Sequence, residues 1–408
     1  MICRSCKKDL SLEFIDLGYS PISNAYLNNK NEIKYEIKYP LRVLFCNNCW
    51  LVQTDDKVEI QRIFNKDYAY FSSYSSSWLK HASDYVDKVE SRFELDKNSQ
   101  VIEIASNDGY LLQYFKKKNI PCLGIEPTES TAKVARKKGI DVMIEFFTTK
   151  LANELISKKK FADLIIANNV LAHVPDINDF VKSFSLILKP DGIVTFEFPH
   201  LLNLIQNNQF DTIYHEHYSY LSLIAVNNII RKFKLEVFDV EEILTHGGSL
   251  RLYIQSSKTG IHMVKGSVKK LVKKEKDFGI QKEETYFNFE KNIIKIKKEL
   301  CKFLEKIKKD NKKIIAYGAA AKGNTLLNYI GLKDDLIKYV VDSNVHKQGK
   351  YLPGTGISIV NQEIIKETKP DYIFILPWNL EKEIIKDLIY AREWNCKFII
   401  AIPELKII

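Results

Sequence analysis

The chain has 408 residues, 45% hydrophobic and 27% charged, which is ordinary globular usage and excludes disorder and collagen-like repeats. At roughly 150 residues per domain, this length suggests two or three domains. Net charge is +10, but residues 258–313 hold 18 Lys and no Arg against 8 Asp plus Glu, so the rest of the chain balances. A uniformly basic nucleic-acid binder is disfavoured, and the lysines read as solvated helix faces.

The start, Met1-Ile2-Cys3-Arg4-Ser5-Cys6, has no apolar signal-peptide core. No later stretch approaches the roughly 18 to 20 apolar residues of a membrane span. The expectation is a soluble cytoplasmic protein without a membrane partner. Cys3, Cys6, Cys46 and Cys49 form two C-x-x-C pairs. Each pair offers two thiolates from one tight turn. Two such turns complete a closed tetrahedral zinc site, which suits structure rather than catalysis because no position stays open for water. No flanking βαβ pattern supports a redox pair instead. Cys122, Cys301 and Cys396 lie in apolar or helical settings and read as buried thiols.

Residues 1–65 read as a zinc-stapled module, with Arg42-Val-Leu-Phe45 a short strand before Cys46. An aromatic, serine-rich stretch follows, from Asp67 to Trp78, and then an amphipathic helix to about Leu95. From residue 100 strands alternate with helices. The strands are Val101–Ala105, Leu123–Glu126, Asp141–Ile144, Leu164–Ala167 and Gly192–Phe198, with helices over 110–118 and 128–138. This pattern predicts a parallel, doubly wound sheet within a domain of residues 66–255. A lysine-rich helical segment spans 264–313. The pattern then restarts at Lys313–Gly318, Ile337–Asp342, Asp371–Leu376 and Lys397–Ile402, a second α/β domain within 256–408.

Glu103-Ile-Ala-Ser-Asn-Asp-Gly-Tyr110 lies at the C-terminal end of the first central strand, the edge where open α/β sheets bind ligands. Glu126 ends the next strand, where an acidic residue can hold both ribose hydroxyls. Only Gly109 of a G-x-G-x-x-G fingerprint is present, so no pyrophosphate cradle is evident. A ribose carboxylate without such a cradle fits an adenosine lacking phosphate, as in S-adenosylmethionine. Asp108 or Glu103 can meet its sulfonium or amino group. An ordinary strand-to-helix turn is the alternative.

Phe210-Asp-Thr-Ile-Tyr-His-Glu-His-Tyr-Ser-Tyr220 packs Tyr214, His215, Glu216, His217, Tyr218 and Tyr220 into seven residues. Histidine is the usual general base near neutral pH, a neighbouring Glu can orient it, and Tyr can donate to an oxyanion. A metal site is another reading, although H-E-H lacks the i, i+4 spacing of zincins. A surface loop or core histidines is a third. His173 follows the fourth strand and faces the same ligand edge. Tyr317-Gly-Ala-Ala-Ala-Lys-Gly-Asn324 runs from a strand toward a helix start. Its backbone N–H groups and Lys322 can hold a diphosphate, with Gly318 and Asn324 alongside; a tight structural turn is the alternative. The Walker spacing is absent, since Lys322 precedes Gly323. His246-Gly-Gly-Ser-Leu-Arg251 borders the same cleft in this reading.

Together the paired C-x-x-C motifs, E-I-A-S-N-D-G-Y-L-L, F-D-T-I-Y-H-E-H-Y-S-Y, H-G-G-S-L-R and Y-G-A-A-A-K-G-N-T resemble the sugar C-methyltransferases, in matching order over nearly the whole chain. The resemblance implies an N-terminal zinc-binding module, a central Rossmann-like methyltransferase domain and a C-terminal Rossmann-like domain. It implies structural zinc on Cys3, Cys6, Cys46 and Cys49. It implies S-adenosylmethionine held by Glu103, Asn107, Asp108, Gly109, Glu126, Asn168 and Asn169. The expected base is His217, with Tyr214, Glu216 and His173 lining a sugar pocket. Tyr70, or else Tyr68, approaches from the N-terminal side, and His215 joins the substrate contacts. The implied acceptor is a TDP-, GDP- or CDP-linked 4-keto-deoxysugar, methylated at the carbon beside its ketone. Ala105 departs from the family, which often has Gly there. The competing readings are an O- or N-methyltransferase on a sugar nucleotide, an NAD-dependent sugar-nucleotide dehydrogenase or epimerase, and a zinc-dependent RNA-binding module. Neither α/β segment shows the fingerprint that the nicotinamide enzyme needs, and lysine rather than arginine carries the charge excess.

Overall fold

The structure is a computed structural model that describes residues 1–55, 58, 71–332 and 335–408. Among these residues the strands form three sheets.

The first sheet begins with antiparallel strands β1 (Leu12–Ser20), β2 (Tyr39–Phe45) and β3 (Val52–Thr54). Leu41, Val43 and Phe45 alternate along β2 and are buried, the period-2 signature of a strand with one core face. The sheet is completed from far along the chain, by Ser219–Tyr220, which pairs with β3. The N-terminal module is therefore laced to the segment that carries the candidate base.

The central sheet contains β4 (Val101–Ile104), β5 (Cys122–Ile125), β6 (Asp141–Met143), β7 (Ala162–Asn168) and β8 (Leu188–Pro199). With Ser219–Tyr220 as β9, the hairpin β10 (Leu235–Ile243) and β11 (Ser249–Ser256) follows. The order is β10-β11-β8-β7-β4-β5-β6. Strands β8 to β6 run parallel, as the alternating pattern predicts, but β11 is antiparallel to both neighbours. The sheet is thus mixed rather than purely parallel. The hairpin escapes the sequence pattern, in which the His246-Gly-Gly turn reads only as a motif bordering the ligand edge. Helices α1 (Ser76–Phe93), α2 (Leu112–Lys117), α3 (Glu129–Lys137), α4 (Thr149–Ser157) and α5 (Ile177–Ile187) accompany the parallel strands. Ser75 caps α1 by accepting from Trp78 N–H at 3.2 Å.

After α6 (Leu223–Ile230), the lysine-rich segment is two helices, α7 (Gly266–Phe278) and α8 (Glu283–Lys309). Gly279, at φ 99°, ends the first. On α8, Tyr286, Phe289, Ile293, Ile296, Leu300, Leu304 and Ile307 recur at helical spacing and are buried, which leaves the lysines to solvent. Phe289 stacks on Phe14 at 4.6 Å and Tyr286 on Phe45 at 4.3 Å, so this stripe packs on the N-terminal sheet.

The third sheet comprises β12 (Ile314–Tyr317), β13 (Ile337–Val341), β14 (Ser358–Val360), β15 (Tyr372–Ile375), β16 (Lys397–Ile400) and β17 (Lys406–Ile407). Its order is β14-β13-β12-β15-β16-β17, parallel except for the last strand. Helix α9 (Ala321–Tyr329) follows the glycine turn after β12. No helix among the described residues is long and apolar enough to cross a membrane.

Candidate active site

The cysteine cluster tests the zinc expectation directly. The sulfurs of Cys3, Cys6, Cys46 and Cys49 all lie within 4.8 Å of one another, and the Cys3–Cys49 and Cys6–Cys46 pairs are 3.5 Å apart. A tetrahedron with Zn–S bonds of about 2.3 Å has edges of about 3.8 Å, so the four thiols fit the ion. Both turns have one geometry. Lys7 donates its N–H to Cys3 at 3.0 Å and Trp50 to Cys46 at 2.8 Å, and both residues are left-handed at φ 63°. The Cys49 contact holds the Cys3 thiol low, and the same contact with burial holds the Cys49 thiol high, so these two sulfurs share a proton that a bound metal would displace. Asn178 and Lys232 bond the Ser5 carbonyl at 2.8 Å each, which docks the cluster onto the methyltransferase helices.

At the carboxyl edge of β4, the chain turns through Ala105, Asn107 and Gly109 at φ 56°, 50° and 74°. Gly109 takes a positive φ that glycine adopts freely, and a Cβ there would displace the tip of the Ile140 side chain. Glu126 braces this turn: its Oε2 accepts from Asn107 N–H at 2.8 Å and its Oε1 from Thr128 N–H at 2.9 Å. Among the described residues, Glu103 Oε2, Ser106 Oγ, Asn168 Oδ1 and both side-chain polar atoms of Asn169 are buried without a partner. Such orphaned groups cost free energy unless a ligand satisfies them, and they converge on the edges of β4 and β7. A polar adenosyl donor fits here. Burial, with Glu126 and Asp108 nearby, pushes the Glu103 carboxyl well above its usual range. Asp108 sits otherwise: Ser73 donates to its Oδ2, and Lys138 Nζ lies 3.7 Å away.

The segment after α5 and β8 brings the candidate base forward. His217 Nδ1 lies 2.8 Å from the Thr212 carbonyl. A carbonyl only accepts, so Nδ1 carries the proton and Nε2 keeps its lone pair. The ring is half-buried and lies 4.0 Å from Tyr214 and 4.7 Å from His173. Burial, then His173, hold the imidazolium form far from its ordinary range, so the ring is neutral at pH 7. His173 and His246 are likewise held to about 4, mainly by burial. Glu216 is buried; its Oε1 accepts from Asn24 Nδ2 at 2.6 Å, and burial pushes its carboxyl up to about 7. His215 turns elsewhere, with Nε2 3.3 Å from the Pro40 carbonyl of the N-terminal sheet.

The C-terminal domain reaches the same place. Thr325 Oγ1 donates to the Ile213 carbonyl at 2.9 Å, and Trp378 Nε1 donates to Asp211 Oδ2 at 2.7 Å. Lys322 stands 4.6 Å over the Trp378 ring and donates to Asn379 at 3.0 Å. Its charge weighs on both His217 and His246. Gly318, at φ 92°, closes against Pro377. Asn324 is fully buried and shares its Oδ1 with Asn328. The turn repeats the donor edge: Ala319 N–H bonds Asp342 Oδ2 at 2.8 Å, and Asn344 N–H bonds Asp342 Oδ1 at 2.8 Å.

Of the expected residues, His217, Tyr214 and His173 gather around one ring set, with Lys322 close enough to act on it. Glu103, Asn107, Gly109, Glu126, Asn168 and Asn169 gather at the donor edge. Tyr68 and Tyr70 lie outside the described residues. Sequence reasoning missed Asn24, Asp211, Trp378 and the network in which Glu197 accepts from Arg251 at 2.7 Å beside His81 at 2.9 Å. Asp211 stood inside the quoted motif; Asn24 had no local signal.

Comparison with known proteins agrees along the chain. Residues 3–64 match a family model described as "Putative zinc binding domain", residues 78–240 one described as "Methyltransferase domain", and residues 244–403 one described as "C-methyltransferase C-terminal domain". The chain is 32% identical over 406 residues to C-methyltransferase NovU of Streptomyces niveus, covering 100% of this chain and 96% of that one. A ubiquinone biosynthesis O-methyltransferase of Bordetella avium is 25% identical over 99 residues, 24% of this chain and 41% of that one. A solved S-adenosylmethionine-dependent methyltransferase from Clostridium acetobutylicum has 14% identity and a TM-score of 0.35, covering 48% of this chain and 95% of that one. The full-length match, the three domain matches in order and the four-sulfur cluster lead to one assignment: the chain belongs to the S-adenosylmethionine-dependent C-methyltransferases that carry an N-terminal zinc-binding domain.

Proposed function

We propose that the enzyme methylates the carbon beside the ketone of a nucleotide-linked 4-keto-deoxysugar, in the synthesis of a branched surface or secondary-metabolite sugar. The observation that carries this reading is the tautomer of His217: Nδ1 is tied to the Thr212 carbonyl, which leaves a basic Nε2 among Tyr214 and His173.

A C–H bond beside a ketone is acidic because the anion delocalises onto oxygen. His217 Nε2 accepts that proton, and the neutral ring is in the right state to do so. Tyr214 donates to the enolate oxygen, an interaction worth about 3–4 kcal/mol in comparable oxyanion sites, whereas the single N–H of neutral His173 is spent on the Glu216 carbonyl. S-adenosylmethionine, when bound, supplies a methyl group already activated as a sulfonium. Glu126 and Glu103, with Asn107, Asp108, Gly109, Asn168 and Asn169, hold the donor within residues 66–255. Lys322 and the Gly318 turn hold the acceptor diphosphate within residues 256–408, where Asp342 braces the turn as Glu126 braces the donor turn. Two sheets thus present two ligands to one histidine, and positioning supplies much of the rate.

The test is mass spectrometry of products from a panel of TDP-, GDP- and CDP-linked 4-keto-deoxysugars incubated with S-adenosylmethionine. The expected product gains one methyl group and loses the hydrogen on the carbon next to the ketone. Methylation at oxygen or nitrogen, or no product across the panel, overturns the reading.

A further inference from the structure

The loop between β1 and the short helix at Lys30 belongs to the zinc-stapled module, yet it reaches the Tyr214–His217 segment and the turn after β12. Asn24 Nδ2 donates to Glu216 Oε1 at 2.6 Å. Two residues later Tyr26 donates its hydroxyl to the Ala319 carbonyl at 2.6 Å, on the turn that leads to Lys322. Leu27 and Tyr351 then exchange backbone bonds at 3.0 and 2.8 Å, which anchors the loop on the C-terminal domain. The loop therefore spans from the catalytic segment to the acceptor turn, fixed at both ends.

We propose that Asn24 is a positioning residue, which pins Oε1 of Glu216 so that Oε2 is left to serve the acceptor; this rests on the placing of Glu216 in the acceptor pocket. The amide has a defined orientation. An ionised carboxylate only accepts, so the amide turns its NH2 group to Glu216; the Tyr26 hydroxyl, whose one proton goes to the Ala319 carbonyl, lies 3.4 Å from Asn24 Oδ1. An N–H on Oε1 excludes a carboxyl proton from that oxygen, so the protonated acid carries its hydrogen on Oε2. Oε2 has no hydrogen bond among the described residues, and Glu216 is 3% exposed. Asn24 is also uncharged. A Lys or Arg in its place would hold Glu216 ionised, whereas burial places this carboxyl where both forms exist near neutrality. In its acid form Glu216 can donate from Oε2 to the carbonyl oxygen of an acceptor, the role of a carboxylic acid kept neutral in an oxyanion site. The titratable neighbours are Tyr26 on the same loop, His173, whose ring meets the Glu216 carbonyl, and Tyr214, His215 and His217 on the segment itself. Beyond them, Lys347, 5.5 Å from the Tyr26 ring, and Asp342 act on Tyr26.

The experiment is an infrared titration of the Glu216 carboxyl in the full-length zinc protein, with the band identified by its loss in Glu216→Gln. It is paired with kcat and KM against pH on a TDP-linked 4-keto-deoxysugar. Asn24→Ala should raise the Glu216 midpoint by about one pH unit. It should move the basic limb of kcat in the same direction and lower kcat about tenfold, with KM within about twofold. An unchanged midpoint and basic limb, with Glu216→Gln inactive, overturn the positioning role alone. Full turnover by Glu216→Gln overturns this role together with the placing of Glu216 beneath it. Zinc content checks that the module is intact, and the isosteric Asn24→Asp replaces Asn24→Ala should the latter fail to fold; it should raise the midpoint further, through like charge.

Discussion

Trp378 donates its indole N–H to Asp211 at 2.7 Å, and the bond crosses from the edge of the third sheet to the head of the Tyr214–His217 segment. Asp211 is fully buried, and burial pushes its carboxyl up to about 6, against the pull of Lys322 and of this bond. Trp378→Phe keeps a ring but removes the donor. At pH 7 a buried carboxylate then lacks its partner, and unfolding free energy should fall by about 1–3 kcal/mol. At pH 5, where Asp211 is protonated, the loss should shrink. Denaturant unfolding at the two pH values measures this; an equal loss at both would assign the effect to ring packing.

The cysteine cluster supports more than its own turns, because β9 joins the N-terminal sheet to the Tyr214–His217 segment and Asn178 and Lys232 grip the Ser5 carbonyl. Cys46→Ser should therefore lose the metal, by elemental analysis, and lower the melting temperature. It should also depress turnover, through the sheet that β9 completes. A zinc-free variant with normal turnover would show that the sheet holds the segment without the ion.

How much of this could be read beforehand depends on the range of the interaction. The thiol set was legible because each C-x-x-C turn is a local unit, and two units suffice for a tetrahedral ion. The alternating strands from Val101 to Phe198 were legible because parallel strands bury both faces and read as apolar runs. The hairpin of β10 and β11 was not, since its strands bury Val240 and Leu250 beside charged Glu241 and Arg251, which dilutes the apolar signal. The Tyr214–Tyr220 segment stands out by composition, but its partners do not. Asn24 meets Glu216 across 192 residues, and Trp378 meets Asp211 across 167. Nothing local in either sequence encodes such a pairing; the docking of three sheets creates it.

The buried histidines set a pH slope of known sign. His173 and His246 titrate at about 4 in the folded state and near the ordinary 6.5 when unfolded. Between those values the unfolded chain binds more protons, so stability from these rings is full above pH 6.5 and is lost as pH falls toward 4. Glu216 and Asp211, raised to about 7 and 6, act oppositely, gaining stability over the same descent. The test is therefore a difference. His246→Asn should lose less stability than the parent chain between pH 7 and 4.5, by up to about 1.4 kcal/mol per pH unit. Parallel curves would place His246 in solvent.

His217→Asn retains a side chain that can still donate to the Thr212 carbonyl but has no basic nitrogen. Turnover should fall by about 10²- to 10⁴-fold, the usual contribution of a general base. S-adenosylmethionine affinity, measured by calorimetry, should stay within about twofold. Exchange of the hydrogen beside the acceptor's ketone into deuterated solvent, followed without the methyl donor, should vanish in the variant. Exchange at the parent rate would give the proton to another group.

The two braced turns allow the two ligands to be separated. Glu126 and Asp342 each accept two backbone N–H bonds at the end of the second strand of their sheet, one of them from the turn after the first strand. Glu126→Gln keeps one acceptor oxygen and should weaken S-adenosylmethionine about tenfold or more, with the nucleotide affinity unaltered. Lys322→Ala should do the reverse, weakening a nucleoside diphosphate while the donor binds as before. The lysine acts as a point charge on phosphate, so the nucleotide affinity of the parent, but not of the variant, should fall steeply with added salt. Calorimetry with each ligand alone gives a two-by-two result. If Lys322→Ala leaves nucleotide affinity and its salt dependence intact, the turn after β12 is a structural joint, and the acceptor's phosphates lie elsewhere in the cleft.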